Sequence, residues 1–327
     1  MTYKMPPEWA PHERVWIGFP SDADEWGAPL KEAQRQMAAF ANAVHDDGRG
    51  EVVHLIAGTA EAAAVARDLT ENGVIVEQRR IGDVWLRDTA CIITSDGTNR
   101  IACKFGFNGW GDRYHFNGDQ TIGAELAMAA DFTVEPCDWI LEGGSIDVDG
   151  AGLAVTTEDC LLNPNRNPDL DRAAIEARLQ RDLGIERLLW LGDGMANDHT
   201  DGHVDNLARF VGPNHLVMPT ATGADDPNAA LYADARARAE AIGVRVTPLP
   251  SVGRYEVNGA VVPATYVNFY IGNRAVVVPI YGSRFDDAAL AALEPLFPDR
   301  RIIGLPANAV LTGGGSFHCS SQQVPFA

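Results

Sequence analysis

No apolar run in this 327-residue chain approaches the ~18 residues that a membrane-spanning helix requires. The longest are short stretches such as Ala275–Ile280. The opening MTYKMPPEWAPHERVW has neither the apolar stretch nor the cleavage site of a secretory leader. The expectation is a cytoplasmic protein with no membrane partner. Cysteine is scarce: Cys91, Cys103, Cys137, Cys160 and Cys319 are odd in number and show no CxxC spacing. That fits neither a disulfide framework nor a zinc ribbon. Basic residues are few, with 26 Lys and Arg against 45 Asp and Glu, a formal charge of −19. Such a surface repels phosphate backbones, which argues against nucleic-acid binding, and it tolerates a cationic ligand.

What is present is ordinary globular composition. With 46% apolar and 22% charged residues, the chain is not disordered, collagenous or coiled-coil. Its length allows two domains or one large one. Val15–Phe19 and Glu51–Ala57 read as strands, with Met37, Phe40, Ala41 and Val44 at helical spacing between them. Thr59 caps a second helix, and Val74–Val76 starts another strand. From there the order is regular. Strands at 87–94 and 101–107 precede a helix near 119–130 and a strand at 132–135. Strands near 145–148 and 152–156 precede a helix at 169–183, capped by Asp169 and stopped by Gly184, then a strand at 187–191. Strands at 203–211 and 215–219 precede a helix at 227–242 and a strand at 244–249. Strands at 266–271 and 275–280 precede a helix at 286–297 and a strand at 301–304.

These are four consecutive ββαβ units of about fifty to sixty residues, a period that points to a propeller or solenoid. A fifth strand start, Ser316–Cys319, stands alone at the C-terminus, and the N-terminal segment lacks an obvious first strand. A ring in which the two terminal segments complete one module solves both problems. The whole of 1–327 is then one catalytic domain.

Polar residues sit at the same place in each module. Asp88 follows Trp85-Leu86-Arg87, and Glu142 precedes Gly143-Gly144. His203 and Asp205 follow Gly202, Asn268 follows Tyr266-Val267, and Cys319 follows a run of three glycines at 313–315. In a ring these side chains converge. Cys319 is the candidate nucleophile through its thiolate. His203 is the candidate general acid and base, because its unperturbed pKa lies near neutrality. As residues i and i+2 of a strand, His203 and Asp205 share a face. Glu142 suits the orientation of the imidazole. Asp88 and Asp205 remain, and a planar cation with several N–H donors would occupy both. The site reads as a thiol attacking the carbon of a guanidinium.

Singly, each residue has a plainer role: a buried Cys, a core His, an Asp in an ion pair or turn. His199 and His203 are four apart, as on a zinc-binding helix, but the intervening Gly202 and the missing Glu of that motif argue against a metal. His318, next to Cys319 on a strand, should face the opposite way.

The chain resembles the agmatine deiminases of the guanidine-modifying (pentein) superfamily nearly end to end. The resemblance rests on MPPEWAPHERVWIGFP, VWLRD, FGFNGWG, LEGGSIDVDG, TTEDCLLNPNRNP, DGHVDNLARF, YVNFYIGN and GGGSFHCSSQQ, in that order. It implies a five-bladed α/β propeller of ββαβ modules with pseudo-fivefold symmetry. Cys319 would be the nucleophile, His203 the acid and base, Glu142 its carboxylate partner, and Asp88 and Asp205 the guanidinium clamps. No metal or organic cofactor is implied. The implied substrate is a small cationic guanidine: agmatine and water give N-carbamoylputrescine and ammonia, a route toward putrescine. Other guanidines, amidino transfer to an amine and a catalytically silent binding propeller are the alternatives, and a homo-oligomer is left open. Trp85 and Trp110 would pack against the substrate chain or in the core. The residue four before the catalytic His is typically acidic in the agmatine enzymes. Here it is His199, which holds an ammonium less well, so weak agmatine turnover or a shifted substrate is expected.

Overall fold

A computed structural model of the chain describes residues 3–327. Its framework is mixed α/β and consists of five small sheets and one short hairpin among the described residues. Four sheets have three strands each. Ile92–Ser95, Arg100–Gly106 and Val134–Ile140 form one, and Asp147–Val148, Leu153–Thr157 and Arg187–Leu191 the next. Arg209–Gly212, His215–Thr220 and Arg245–Pro250 follow, then Tyr270–Ile271, Ala275–Ile280 and Arg301–Pro306. In each the first pair is antiparallel and the second parallel. A parallel pair needs a crossover, and each crossover carries a helix: Ile122–Ala129, Arg172–Leu183, Ala229–Ala241 or Asp286–Leu293.

The fifth sheet joins the two ends of the chain. Ser321–Pro325 pairs antiparallel with His12–Phe19, which pairs parallel with Val52–Ala57, and Ile75–Gln78 adds a fourth strand. The middle strands read as continuous apolar runs because both faces are covered; in Ala275–Ile280, Ala275 to Pro279 are all buried. Helix ends follow local chemistry. The Thr59 hydroxyl accepts from Ala62 N at 3.1 Å, and Gly184 ends its helix at φ 67°. The cap of that helix is Asp171, not Asp169: Asp171 accepts from Ala174 N at 2.9 Å, and the helix begins at Arg172.

The first strand of each module is shorter than expected. Leu86–Thr89 is a single helical turn, and Gly143–Ser145 and Val204–Asn206 are 3-10 turns, each lying before its sheet. The expected strand start at Ser316–Cys319 likewise gives way to a turn, at 317–320, ahead of the strand at Ser321. The pleat argument placing His203 and Asp205 on one strand face is therefore wrong. A tight turn, not a strand, aims these side chains.

Candidate active site

Cys319 sits on the turn before the last strand and is 5% exposed. Its backbone N–H and that of His318 both donate to Asn268 Oδ1, at 3.3 and 3.1 Å. Asn268 Nδ2 donates to Cys319 Sγ at 3.0 Å, and Sγ lies 3.4 Å from Asp205 Oδ2. The thiol is thus held between an amide and a carboxylate. Burial first, then Asp205 and Asp88, pushes it well above the ordinary thiol range.

Asp88 is fixed by two donors. Gly144 N–H binds Oδ1 and the Trp110 indole N–H binds Oδ2, both at 2.9 Å. Burial raises its carboxyl; His203 opposes that, and Asp205 and Glu142 reinforce it. Gly144 explains the convergence. A Cβ there would lie 2.6 Å from His203 Nδ1, 3.0 Å from Asp88 Oδ1 and 3.1 Å from Asp205 Oδ2. Only a residue without a side chain lets three catalytic candidates approach one point. Trp110 adopts φ 54°, a left-handed conformation uncommon for a bulky residue, and this strain aims its indole at Asp88.

His203 is buried, and its ring nitrogens have no hydrogen-bond partner. Nδ1 lies 3.8 Å from Asp88 Oδ2. Burial alone would lower its pKa, but Asp88, Glu142 and Asp205 together outweigh burial and raise it. The carboxylates thus shift His203 toward the imidazolium, the form that can donate a proton.

Glu142 differs from expectation. Its Oε1 accepts from Arg166 Nε at 2.7 Å, and it makes no hydrogen bond to His203. Its Oε2 is buried and unpartnered. A Glu142 oxygen, Cys160 Sγ and a His203 nitrogen nevertheless lie within 4.8 Å of one another, so the carboxylate faces the imidazole as a charge rather than as a bonded partner. Arg166, buried, also donates to Asp201 Oδ2 at 2.5 Å and to Thr200 O at 2.8 Å. It ties Glu142 to the segment carrying His203.

A cavity leads to Cys319, and Trp26, Trp85, Trp110, Asp88, Glu25, Asp83 and His199 are among the residues that line it. The glycines at 313–315 form part of that wall. A Cβ on Gly315 would lie 2.6 Å from the Trp85 ring and 3.0 Å from Cys319 Cβ.

The Porphyromonas-type peptidyl-arginine deiminase family model matches residues 4–325. The chain belongs to this family. Agmatine deiminases from Stutzerimonas stutzeri and Pseudomonas fluorescens are each 34% identical to it, covering 99% of this chain and 95% of theirs. The solved structure of Enterococcus faecalis agmatine deiminase superposes with a TM-score of 0.90 at 29% identity, over 99% of this chain and 96% of that one. A C. jejuni agmatine deiminase variant with substrate bound gives 0.91 at 28% identity, over 100% and 97%. An amidinotransferase from Microseira wollei, 11% identical with a TM-score of 0.60, shares the fold.

Within this family member, all eight residues singled out from the sequence lie in or beside one site. Cys319, Asp88, Trp85, Trp110 and His199 line the cavity. His203 and Asp205 are buried beside them, and Glu142 lies behind His203. Asn268, which shared their module position, touches the thiol. Arg166 and Glu8 were missed. Both sit in the motifs quoted above, but nothing in their spacing marks a charge buried far along the chain from its partner.

Proposed function

We propose that the chain is an agmatine deiminase: a hydrolase releasing ammonia from the guanidinium of agmatine to leave N-carbamoylputrescine. One observation carries this reading. Two buried carboxylates, Asp88 and Asp205, and the His203 ring approach a single point beside the Cys319 thiol. Oδ2 is the Asp205 oxygen at that point, and Oδ1 of the same carboxylate is buried and unpartnered, so it is free to accept. A planar guanidinium supplies the charge and the N–H groups, each charge-assisted bond contributing about 1.5–3 kcal/mol.

The steps follow from the residues. The cation neutralises the two carboxylates that hold the thiol protonated, so its binding favours the thiolate, and the thiol proton passes to water. Sγ attacks the guanidinium carbon and forms a C–S bond. His203 gives its proton to one amino nitrogen, the C–N bond breaks, and ammonia leaves an S-alkylthiouronium on Cys319. His203, now neutral, takes a proton from water as the water oxygen attacks the same carbon. Collapse breaks the C–S bond as the remaining hydroxyl proton passes to the sulfur, releasing the ureido product and the thiol.

The sheets support a five-bladed ring closed where Ser321–Pro325 pairs with His12–Phe19, with the full length as one catalytic domain. No helix among the described residues is long and apolar enough to cross a membrane, and all five cysteines are free, which supports a cytoplasmic setting. Ammonia release from agmatine, arginine, peptidyl-arginine and methylated arginines, with and without an amine acceptor, tests the reading. The expected result is ammonia and N-carbamoylputrescine from agmatine. Turnover of another guanidine only, or amidino transfer to the amine, would overturn it.

A further inference from the structure

His318 is buried between two carboxylates. Its Nδ1 lies 2.7 Å from Asp205 Oδ2 and its Nε2 2.9 Å from Glu8 Oε2. A neutral imidazole carries one N–H, so one of these contacts would set a lone pair against a carboxylate. Both contacts are hydrogen bonds only when both nitrogens donate, that is, in the imidazolium.

Neither carboxylate is available to supply that proton. Glu8 also pairs with Arg209 at 2.8 Å and Arg87 at 3.1 Å, and accepts from Ile271 N at 2.8 Å. Burial would raise its carboxyl, but these cations and His318 hold it well below the usual range. Asp205 is lowered for the same reason: burial is outweighed by His318, His203 and Arg209. Arg209 is itself bound to Asp147 at 2.9 Å. The N-terminal segment, through Glu8, thereby reaches within one imidazole of the candidate guanidinium clamp.

We propose that His318 is a positioning residue for deimination: an imidazolium braced by Glu8 that keeps Asp205 ionised and holds its Oδ2, leaving Oδ1 for the substrate. This rests on the reading of Asp205 as a guanidinium clamp. The groups facing Asp205 are His318, His203, Arg209, Asp88 and the Cys319 thiol, and those facing His318 are Asp205 and Glu8. Without the imidazolium the Asp205 carboxyl rises, so its ionisation, and activity with it, is lost at a higher pH than in wild type.

Nitrogen NMR of ring-labelled histidine in the wild-type enzyme reads the charge directly. Both His318 nitrogens should be protonated at pH 7, with His318→Gln assigning the signals. A neutral tautomer would overturn the proposal. In kinetics, His318→Gln should raise KM for agmatine at least tenfold and move the acidic limb of kcat/KM to higher pH. Glu8→Gln should move that limb the same way by a smaller amount, since one brace remains. A folded His318→Gln enzyme with an unmoved acidic limb would mean that the residue only packs the core. If wild type deiminates no guanidine, the proposed function fails separately, and the NMR result still decides the state of His318.

Discussion

Replacing Asp205 by Asn should make the Cys319 thiol more reactive while making the enzyme worse. Sγ lies 3.4 Å from Asp205 Oδ2, so a thiolate there meets a buried carboxylate at contact distance. Two unit charges 4 Å apart interact by about 4 kcal/mol at an effective dielectric of 20. Removing one is worth about a thousandfold in thiolate population at fixed pH. A less basic thiolate is also a weaker nucleophile, with a Brønsted slope of about 0.4–0.5, which cancels half of that gain on a logarithmic scale. The net expectation is a rise of about 10- to 30-fold in the rate of iodoacetamide alkylation at Cys319 at pH 7. The sign is set by the thiol: its alkylation–pH curve moves to lower pH when the anion is removed. In the same variant kcat/KM for agmatine should fall by about 10²-fold, because the guanidinium loses a charged partner. Alkylation is followed by peptide mass spectrometry, so that the other four cysteines are read separately. Unchanged or slower alkylation of Cys319 in a variant that melts like wild type would refute the electrostatic account of this thiol.

Cys319→Ser should abolish turnover with the fold intact, and acid-quenched wild type should carry a substrate adduct on Cys319; an adduct on any other cysteine would displace it as nucleophile. Asp83 is buried, and that burial holds its carboxyl up at about 6, above the ordinary 3.8. A folded pKa above the unfolded one gives stability that is complete below about 4 and lost as pH rises through about 6, an effect of about 3 kcal/mol. Asp83→Asn should therefore raise the Tm at pH 7.5 and leave it nearly unchanged at pH 4; equal shifts at both would refute the cause. Deleting residues 321–327 removes the strand that pairs with His12–Phe19 and should destabilise the whole fold, as a thermal melt of the truncated chain would show.

The sheets were legible because their middle strands and crossover helices carry strong apolar periods; Arg187–Leu191 and Ala275–Ile280 fall where the pattern places them. The module starts were not, because turn and strand compete over a few residues rich in Gly and Asp, and pattern gives way there to tertiary contacts. The Arg87 backbone N–H on Cys319 O at 3.0 Å is one such contact. Glu142 taught a similar lesson. Its residue type and module position were readable, yet its hydrogen bond goes to Arg166, because a buried carboxylate takes the guanidinium nearest in space. His318 was expected to point away from the chemistry on a strand pleat. On a turn it reaches Asp205 instead.

His199, the departure noted in the sequence, is part of the lining of the cavity. That ring is 3.0 Å from the Tyr114 hydroxyl through Nδ1, and the two rings stack loosely, with centroids 6.2 Å apart at an interplanar angle of 29°. It offers an ammonium no negative charge. Glu25 and Asp83 line the same cavity, and neither forms an ion pair with a basic side chain among the described residues. Burial and Asp22 raise the Glu25 carboxyl, so it gains from a nearby cation. A primary ammonium is a compact, strongly hydrated charge that needs such a partner on leaving water. Glu25→Gln should then raise KM for agmatine about tenfold with kcat nearly unchanged, because the ammonium is remote from the reacting carbon. Butylguanidine, which has no ammonium, should lose nothing in the same variant. An equal loss with both substrates would mean that Glu25 shapes the cavity without reading the charge. His199→Glu should improve agmatine binding only if position 199 faces the ammonium in place of Glu25, so comparing the two variants on both substrates decides which of the two positions selects the amine.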